Sequence, residues 1–476
     1  MQKKTILLIA CIFLFFSCSS GSSNESAATN AQPPVKREYD RSLAKGKVTD
    51  SVICQNQNSQ SFALYLPSYY SPDTKYPCIY FFDAHARGAL PVKKYKDLAE
   101  KYGLVLIGSN ISKNGTQWQV TNDDFKMLQL DTRARINIDT QRIYTSGFSG
   151  GSKVASSIAI FDGGVVGVIG CAAGFPPIEQ AIQHKFDYFG MVGDYDFNLT
   201  EMEQLDGALA QNGFNHQLLT FNGKHEWPPV ADFETALLWI QVNAMKNKLQ
   251  LKNDSLINLL KNDYAKRIAA IKVSVDLVKM HELLDGMVKV LDGLTDVSSY
   301  KKQMDDLITG ANFKNAVAMR AQLQQAELNQ QQEFAKEFAA HDEKWWAKKI
   351  EDLNKSVRSA KTQEESHMSQ RLINFLGLIG YLNSDHALKT GDMGNAASYL
   401  KVFKMADPQN PDCAYLDAIF YMKIGNSQQA ISSLNEAAAL GFCDISQLLA
   451  EPVFDLLQND QSYKIVVSKV RVNVSK

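Results

Sequence analysis

Short apolar runs alternate with amphipathic stretches between residues 47 and 248. The runs at 78–82 and 188–192 are apolar at nearly every position, which is typical of strands buried on both faces of a sheet. The stretches between such runs, for example 91–102 and 151–161, place their apolar residues at helical spacing. Buried strands separated by helices predict an α/β domain with a doubly wound, mainly parallel sheet.

Two segments ahead of these runs alternate in polarity instead. Residues 48–55 and 61–67 read as half-buried strands, which predicts an antiparallel hairpin at one edge of the sheet. Further strands are expected at 104–108, 142–145, 165–170 and 217–221, and further helices at 123–135, 201–212 and 231–245.

The pattern changes after residue 248. From 253 to 375 glycine is scarce and proline is absent, which predicts helices, among them 254–275 and 312–339. The adjacent pair Trp345-Trp346 lies in this part. We expect one ring to pack in a helix interface and the other ring to half-cover it. This arrangement is favoured over an exposed platform that binds a ligand.

Matching residues recur 34 positions apart near the end of the chain. A helix–turn–helix unit of this period resembles the tetratricopeptide repeat, and two such units cover residues 377–444. Two units fall short of the three or so that a stable stack needs, so the preceding helices are expected to join it. The recurring pairs are Gly391 with Gly425, Ala396 with Ala430, and Leu400 with Leu434.

The first residues read as an export signal. A basic head at 1–4 precedes an apolar run at 6–16, which is too short to span a membrane and is typical of a secretory signal. Cys18 follows Ser17 directly after the run, a pattern that resembles a bacterial lipobox. The resemblance implies cleavage before Cys18 and lipid on its thiol; the alternative is an ordinary secretory signal with an incidental cysteine.

The expected location is therefore the bacterial cell envelope, periplasmic or surface-exposed, with the membrane contacted only through the lipid anchor. A tether rich in serine, asparagine and alanine follows the cysteine. The expected organisation is a signal at 1–17, a tether at 18–46, an α/β domain at 47–248, a helical region at 249–376, and tetratricopeptide-like repeats with a C-terminal cap at 377–476.

Composition and charge narrow the class of protein. The 476 residues are 45% apolar and 21% charged, which is ordinary for a globular chain of two or three domains. The net charge of −1 gives no electrostatic reason to bind nucleic acid. Five of the seven cysteines remain once Cys11 and Cys18 are set aside with the export signal, and their spacing is not that of a metal site. A Cys54–Cys78 disulfide is the one pairing left open.

The candidate chemistry centres on the segment Gly147-Phe148-Ser149-Gly150-Gly151. This G-x-S-x-G sequence follows a predicted strand and precedes a predicted helix, the context in which a sharp turn exposes a serine hydroxyl as a nucleophile. The alternative is a plain strand-to-helix turn.

A serine nucleophile in this kind of turn works with an acid and a histidine that follow it in that order along the chain, and together the three form a catalytic triad. This sequence has an acid and a histidine in that order. Asp196, at the end of the strand at 188–192, is favoured over Asp194 as the acid that orients the imidazole. His225 lies in a glycine-containing loop after the next strand and is the candidate general base and acid. Ser149 is then the nucleophile.

Two backbone N–H groups are needed to stabilise an oxyanion. The expected donors are Gly150 and one residue of the loop after the strand at 78–82, either Ala84 or His85.

Three further residues are expected to meet the substrate. They are Arg87, Asn110 and Trp227, with an internal Asp83–Arg87 pair as the alternative role for the arginine.

Residues 47–248 resemble the α/β-hydrolase superfamily, nearest to its esterase, polyhydroxyalkanoate-depolymerase-like and dienelactone-hydrolase-like members. The segments 147–151, 193–196 and 223–229 carry the resemblance, whereas the loop at 83–88 departs from the usual His-Gly dipeptide. The resemblance implies an esterase that forms an acyl-enzyme with small or polymer-derived esters and needs no metal or other cofactor. The alternatives are a serine peptidase, and a catalytically idle scaffold whose repeats bind a protein partner.

Overall fold

An eight-stranded sheet forms the centre of the N-terminal half. The computed structural model describes residues 38–178, 181–274 and 276–475, so Cys18 and the predicted signal lie outside the described residues. The elements below all belong to the unit Tyr39–Lys476. The strands are β1 (Val48–Ile53), β2 (Ser61–Tyr65), β3 (Tyr76–Asp83), β4 (Val105–Ser109), β5 (Ile138–Phe148), β6 (Gly167–Cys171), β7 (Asp187–Gly193) and β8 (His216–Phe221).

The strand order is β1-β2-β4-β3-β5-β6-β7-β8. Strand β2 pairs antiparallel with both β1 and β4, and every later pairing is parallel. The predicted mainly parallel sheet with an antiparallel edge hairpin is therefore confirmed. In a parallel sheet the carboxyl ends of the strands share one edge, so the loops that leave β3, β5, β7 and β8 are brought together.

Helices cover both faces of this sheet. They are α1 (Ala89–Tyr102), α2 (Trp118–Arg135), α3 (Gly150–Phe161), α4 (Leu199–Gln211) and α5 (Val230–Lys246). Side chains of β3 alternate between two cores: Phe81 packs with α1 and α5, whereas Tyr80 packs with α2 and α3. Burial on both faces is the physical reason that β3 is apolar along most of its length.

Eleven further helices follow in the part of the chain that the structure describes. They are α6 (Asp254–Ser274), α7 (Leu277–Leu291), α8 (Ser298–Thr309), α9 (Ala311–Glu337), α10 (Glu343–Ser359), α11 (Gln363–Thr390), α12 (Met393–Ala406), α13 (Pro411–Lys423), α14 (Ser427–Ala439), α15 (Ile445–Ala450) and α16 (Gln461–Ser475). Tyr264 of α6 and Met287 of α7 are fully buried in the core that contains α5 and Phe189 of β7. The hydrophobic core thus continues across residue 248.

The 34-residue recurrence corresponds to two helix pairs, α11–α12 and α13–α14. Gly391 and Gly425 end the first helix of each pair with φ of 81° and 77°, a left-handed conformation that glycine adopts without strain. Ala396 and Ala430 are completely buried in the second helices. The same positions therefore have the same structural role in both pairs.

The tryptophan pair packs within the helical region. Trp346 is buried among α9, α10 and α11, and Trp345 lies edge-on against it at 4.6 Å between ring centroids. The Cys54–Cys78 disulfide that the sequence left open is absent, since both are free buried thiols. Within the described residues, no helix combines the length and apolar character needed to cross a bilayer.

Replacing Gly380 by alanine tests the close approach of α11 and α12. A Cβ at this buried position would lie 2.9 Å from the Cβ of Phe403 and 3.0 Å from its Cα. We expect Gly380→Ala to lower the free energy of unfolding by about 1–3 kcal/mol, measured by urea denaturation, because the helices must separate. Gly207→Ala in α4 is the matched control, since nothing lies within 4 Å of the added methyl group. It should keep or raise stability, and equal effects at the two glycines would contradict the packing described.

Candidate active site

Ser149 occupies a sharp turn between β5 and α3. Its backbone has φ of 56° and ψ of −123°, and its N–H donates to the carbonyl of Cys171 at 2.9 Å. The flanking glycines permit this turn: a Cβ at Gly147 would lie 2.0 Å from the carbonyl oxygen of Gly151, and a Cβ at Gly151 would lie 2.0 Å from that of Phe82. The turn therefore holds the serine hydroxyl outward at the carboxyl edge of the sheet.

The serine, the histidine and the aspartate form a continuous hydrogen-bonded chain. His225 Nε2 lies 3.0 Å from Ser149 Oγ, and its Nδ1 lies 3.0 Å from both carboxylate oxygens of Asp196. Asp196 is fully buried and also accepts a hydrogen bond from the N–H of Asn198. A carboxylate can only accept a hydrogen bond, so Nδ1 carries the proton and Nε2 is left free to accept a hydrogen bond from the serine hydroxyl.

Two aromatic rings hold the imidazole in place. The ring of Phe197 stacks on His225 with centroids 4.4 Å apart, and Phe148 contacts it at 4.8 Å. The two phenylalanines flank the reacting residues in sequence, Phe148 before Ser149 and Phe197 after Asp196. The segments that carry the serine and the acid therefore also fix the orientation of the histidine.

Asp196, and not Asp194, lies against the histidine. Asp194 turns toward the helical region, where its carboxylate pairs with Lys279 of α7 at 3.2 Å. The N–H of Tyr195 donates to the carbonyl of Gly223, which connects the loop that carries the acid with the loop that carries His225. Of the two aspartates that the sequence offers, Asp196 is the one that the structure brings to the histidine.

The loop after β3 presents one free N–H beside the serine. Within the described part of the chain, the N–H groups of Ala84 and Gly150 donate to no other backbone group or side chain. The N–H of His85 is already bound by the carboxylate of Asp83 at 3.0 Å. Of the two residues considered for the second oxyanion donor, Ala84 is thus the available one. Its own carbonyl accepts a hydrogen bond from the N–H of Asn114 at 2.8 Å, which fixes the peptide.

Arg87 and Trp227 support this loop. The buried Asp83 accepts from Arg87 Nε at 2.7 Å and from the indole Nε1 of Trp227 at 2.9 Å. Burial by itself raises the pKa of Asp83, but the guanidinium and these hydrogen bonds outweigh it and hold the pKa below its usual value. Arg87 also lines the cavity described below, whereas Trp227 is buried outside it, so the expectation that Trp227 meets substrate is not met.

Asn110 does not reach the site either. Its amide donates to the carbonyl of Asp50 and to Ser61 Oγ, which ties it to the edge hairpin. A neighbour that the sequence did not single out, Asn114, takes that place: its side chain lies where a Cβ at Gly150 would be, 1.7 Å from that position. Both asparagines belong to the same polar loop, and only the backbone path decides which one reaches the serine.

Ser149 and His225 open into a cavity of about 370 Å³ whose wall comes from both halves of the chain. The α/β half contributes the turn, the loop after β3, Phe197 and the histidine loop. The helical half contributes residues of α11, of α12, of the segment between α12 and α13, and of the first turn of α13. Its residues on the wall are Asn374, Gly377, Leu378, Tyr381, Leu382, Phe403, Asp407, Gln409, Asn410, Pro411 and Asp412.

Helices α9 and α11 hold the loop that carries Asp196. Three of their side chains donate hydrogen bonds to backbone carbonyls of this loop, and no local sequence pattern indicates these contacts. The bonds run from Arg371 to Asp194 at 2.9 Å, from Asn374 to Tyr195 at 2.7 Å, and from Gln331 to Phe197 at 3.1 Å.

Arg371 is itself fixed by a buried ion pair. Its guanidinium binds Glu327 of α9 through two nitrogens, at 3.0 and 2.8 Å, and also binds Glu364 at 2.8 Å. Arg371 is 2% exposed and Glu327 is completely buried. A planar guanidinium with a bidentate partner has little freedom to move, so its remaining nitrogen is a rigid donor to the acid loop.

No family model and no curated protein matches this chain. Solved structures that match include the S-formylglutathione hydrolase FrmB of Staphylococcus aureus (13% identity, 41% of this chain and 95% of that chain, TM-score 0.34), a ferulic acid esterase (18%, 40% and 94%, 0.33) and an esterase of Pyrobaculum calidifontis (13%, 38% and 78%, 0.31). These matches are esterases and hydrolases that span the N-terminal part of this chain. The fold class rests on the strand order and register described above.

No cluster of three or more histidine, cysteine, aspartate or glutamate side chains suited to a metal ion occurs among the described residues.

Replacing Arg371 tests how the acid loop is held. Arg371→Met leaves Glu327 buried without its cation, and we expect the free energy of unfolding to fall by about 3–5 kcal/mol in thermal or urea denaturation. The double variant Arg371→Met/Glu327→Met removes both charges and should regain most of this loss. Lys355→Met, which breaks an exposed pair with Glu351, is the control and should leave the midpoint unchanged. If Arg371→Met were as stable as the control, the result would show that the Arg371–Glu327 pair does not contribute to stability.

Proposed function

We propose that this protein is a serine hydrolase that cleaves carboxylic esters through an acyl-enzyme on Ser149. The observation that carries the proposal is the hydrogen-bonded chain from Ser149 through His225 to the buried Asp196, next to two N–H groups that have no partner among the described residues. A serine that opens into a cavity, a base within hydrogen-bond reach and an orienting acid are the elements of nucleophilic acyl transfer.

In the first half of the reaction Ser149 Oγ attacks the ester carbonyl carbon while its proton passes to His225 Nε2. The carbonyl oxygen becomes an oxyanion, and the N–H groups of Gly150 and Ala84 donate to it. The tetrahedral intermediate collapses as His225 returns the proton to the leaving alcohol, which gives the acyl-enzyme and free alcohol.

In the second half water takes the place of the alcohol. His225 accepts a proton from the water as it attacks the acyl carbon, and then protonates Ser149 Oγ as the acid leaves. Asp196 stabilises the imidazolium that forms in each half and keeps its proton on Nδ1. The rings of Phe148 and Phe197 restrict the imidazole to the orientation that faces the serine.

The size of the cavity favours a small ester or the end of a polymer-derived one. A volume of about 370 Å³ lies in the usual range for small-molecule sites. A serine peptidase uses the same three residues. If the protein hydrolysed peptides and not esters, the proposed substrate class would change from an ester to a peptide.

The location belongs to the same proposal and rests on the sequence alone. A lipid on Cys18 would hold the enzyme on an envelope membrane, and the tetratricopeptide-like helices would be available to a protein partner. Metabolic labelling with a palmitate analogue should mark the full chain and fail to mark Cys18→Ala.

Labelling with a fluorophosphonate probe tests the catalytic proposal directly. We expect the folded protein without its signal to react, because the probe requires an activated serine, and Ser149→Ala to lose all labelling. Asp196→Asn should react about 10³–10⁴ times more slowly because the histidine loses its orienting carboxylate. Ser157→Ala is the matched control, since its hydroxyl only caps the carbonyl of Lys153 on the same helix.

A folded protein that does not label would contradict the catalytic proposal. It would support the alternative of a catalytically idle scaffold. Labelling that persists in Ser149→Ala would show that the probe reacts with a residue other than Ser149.

A further inference from the structure

Three polar side chains that line the cavity have no hydrogen-bond partner within the described residues. They are the carboxylate of Asp412 and the hydroxyl of Tyr381, from the helical half, and the ring nitrogens of His85, from the loop after β3. All three side chains are partly exposed. A ligand that displaces water from these groups must supply hydrogen bonds in its place, because burying a polar group without a partner costs free energy. The three groups therefore favour a ligand that carries hydrogen-bonding groups.

The charges on this wall favour a neutral ligand over a cation. Both lining cations already have partners, Arg87 with Asp83 at 2.7 Å and Lys224 with Asp407 at 3.5 Å. Asp412 is the remaining carboxylate, and the guanidinium of Arg87 partly offsets its charge. Burial is the main cause of the raised pKa of Asp412.

Apolar surface lies beside these polar groups. The ring of Tyr381 meets that of Phe403 edge-on at 6.0 Å between centroids, and both rings line the cavity together with Leu378. Aromatic rings next to a carboxylate and a hydroxyl suit a ligand whose carbon skeleton bears several hydroxyl groups. The C–H groups of such a ligand can pack on the rings, and its hydroxyl groups can donate hydrogen bonds to the oxygens of Asp412 and Tyr381.

We propose that Tyr381, Asp412 and His85 form a subsite for a neutral polyhydroxyl group of the ester substrate, such as a sugar or glycerol. The subsite deepens the proposed esterase function and rests on it. Its two key residues come from α11 and the first turn of α13, so the helical region would determine which ester enters the cavity.

Matched butyrate esters test this subsite. The substrates are glycerol 1-butyrate, glucose 6-butyrate and butyl butyrate, which share the acyl group and differ in hydroxyl content, and choline butyrate as the cationic ester. We expect kcat/KM for at least one hydroxylated ester to exceed that for butyl butyrate about tenfold, because a site built to bind hydroxyls discriminates against a ligand without them. The two hydroxylated esters distinguish a sugar from glycerol.

Two conservative variants remove single groups from the wall. Asp412→Asn and Tyr381→Phe should each lower the preference for the hydroxylated ester about fivefold to tenfold. Asp417→Asn is the matched control: this aspartate is also partly buried in α13, but it faces Lys404 instead of the cavity. All rates are expressed per active site, counted by fluorophosphonate labelling.

The outcomes separate the subsite from the catalytic proposal. Wild-type protein that does not label would contradict the esterase function itself. Protein that labels but shows no preference for a hydroxylated ester would contradict the subsite alone. A preference for choline butyrate that Asp412→Asn abolishes would replace the neutral ligand by a cation.

Discussion

The backbone conformation of Ser149 is the constraint on which the rest of the site depends. A positive φ at a residue other than glycine costs free energy, and the surrounding contacts must compensate for it. They do so through the close approach of Gly147 to Gly151 and of Gly151 to Phe82, which pins the start of α3 against β3 and β5. Only this geometry leaves the hydroxyl within 3.0 Å of His225 while the N–H of Gly150 remains unpaired. The strained turn thus aligns the candidate nucleophile, base and oxyanion donor together.

The helical region completes this arrangement from the outside. In the loop after β7, three backbone carbonyl groups accept hydrogen bonds from Arg371, Asn374 and Gln331. The ion pair between Arg371 and Glu327 is buried, so its value lies in rigid placement more than in net stability. Helix α11 both holds the loop that carries Asp196 and lines the cavity, so it links the packing of the C-terminal half to the geometry of the N-terminal site.

Local sequence signals account for the parts of this structure that could be predicted. Buried strands show as apolar runs, the turn shows as glycines around Ser149, and the order of serine, acid and histidine follows from the order of strands. The remaining features depend on tertiary packing. Asp194 and Asp196 have the same local context, and only the helical region draws Asp194 to Lys279. Asn110 and Asn114 are similarly ambiguous. No local pattern indicates that Tyr381 lines the same cavity as Ser149, which is more than 200 residues away in sequence.

The loop after β3 departs from the usual His-Gly pattern and still presents a backbone N–H beside the candidate nucleophile. Asp83 is buried at the end of its strand and would be destabilising there without partners. It binds Arg87, the indole of Trp227 and the N–H of His85, and the last of these bonds removes His85 from the candidate oxyanion donors. The turn that results leaves the N–H of Ala84 unpaired beside the serine and directs the ring of His85 into the cavity. A single buried carboxylate therefore organises the oxyanion donor on one side of the loop and the proposed polyhydroxyl subsite on the other.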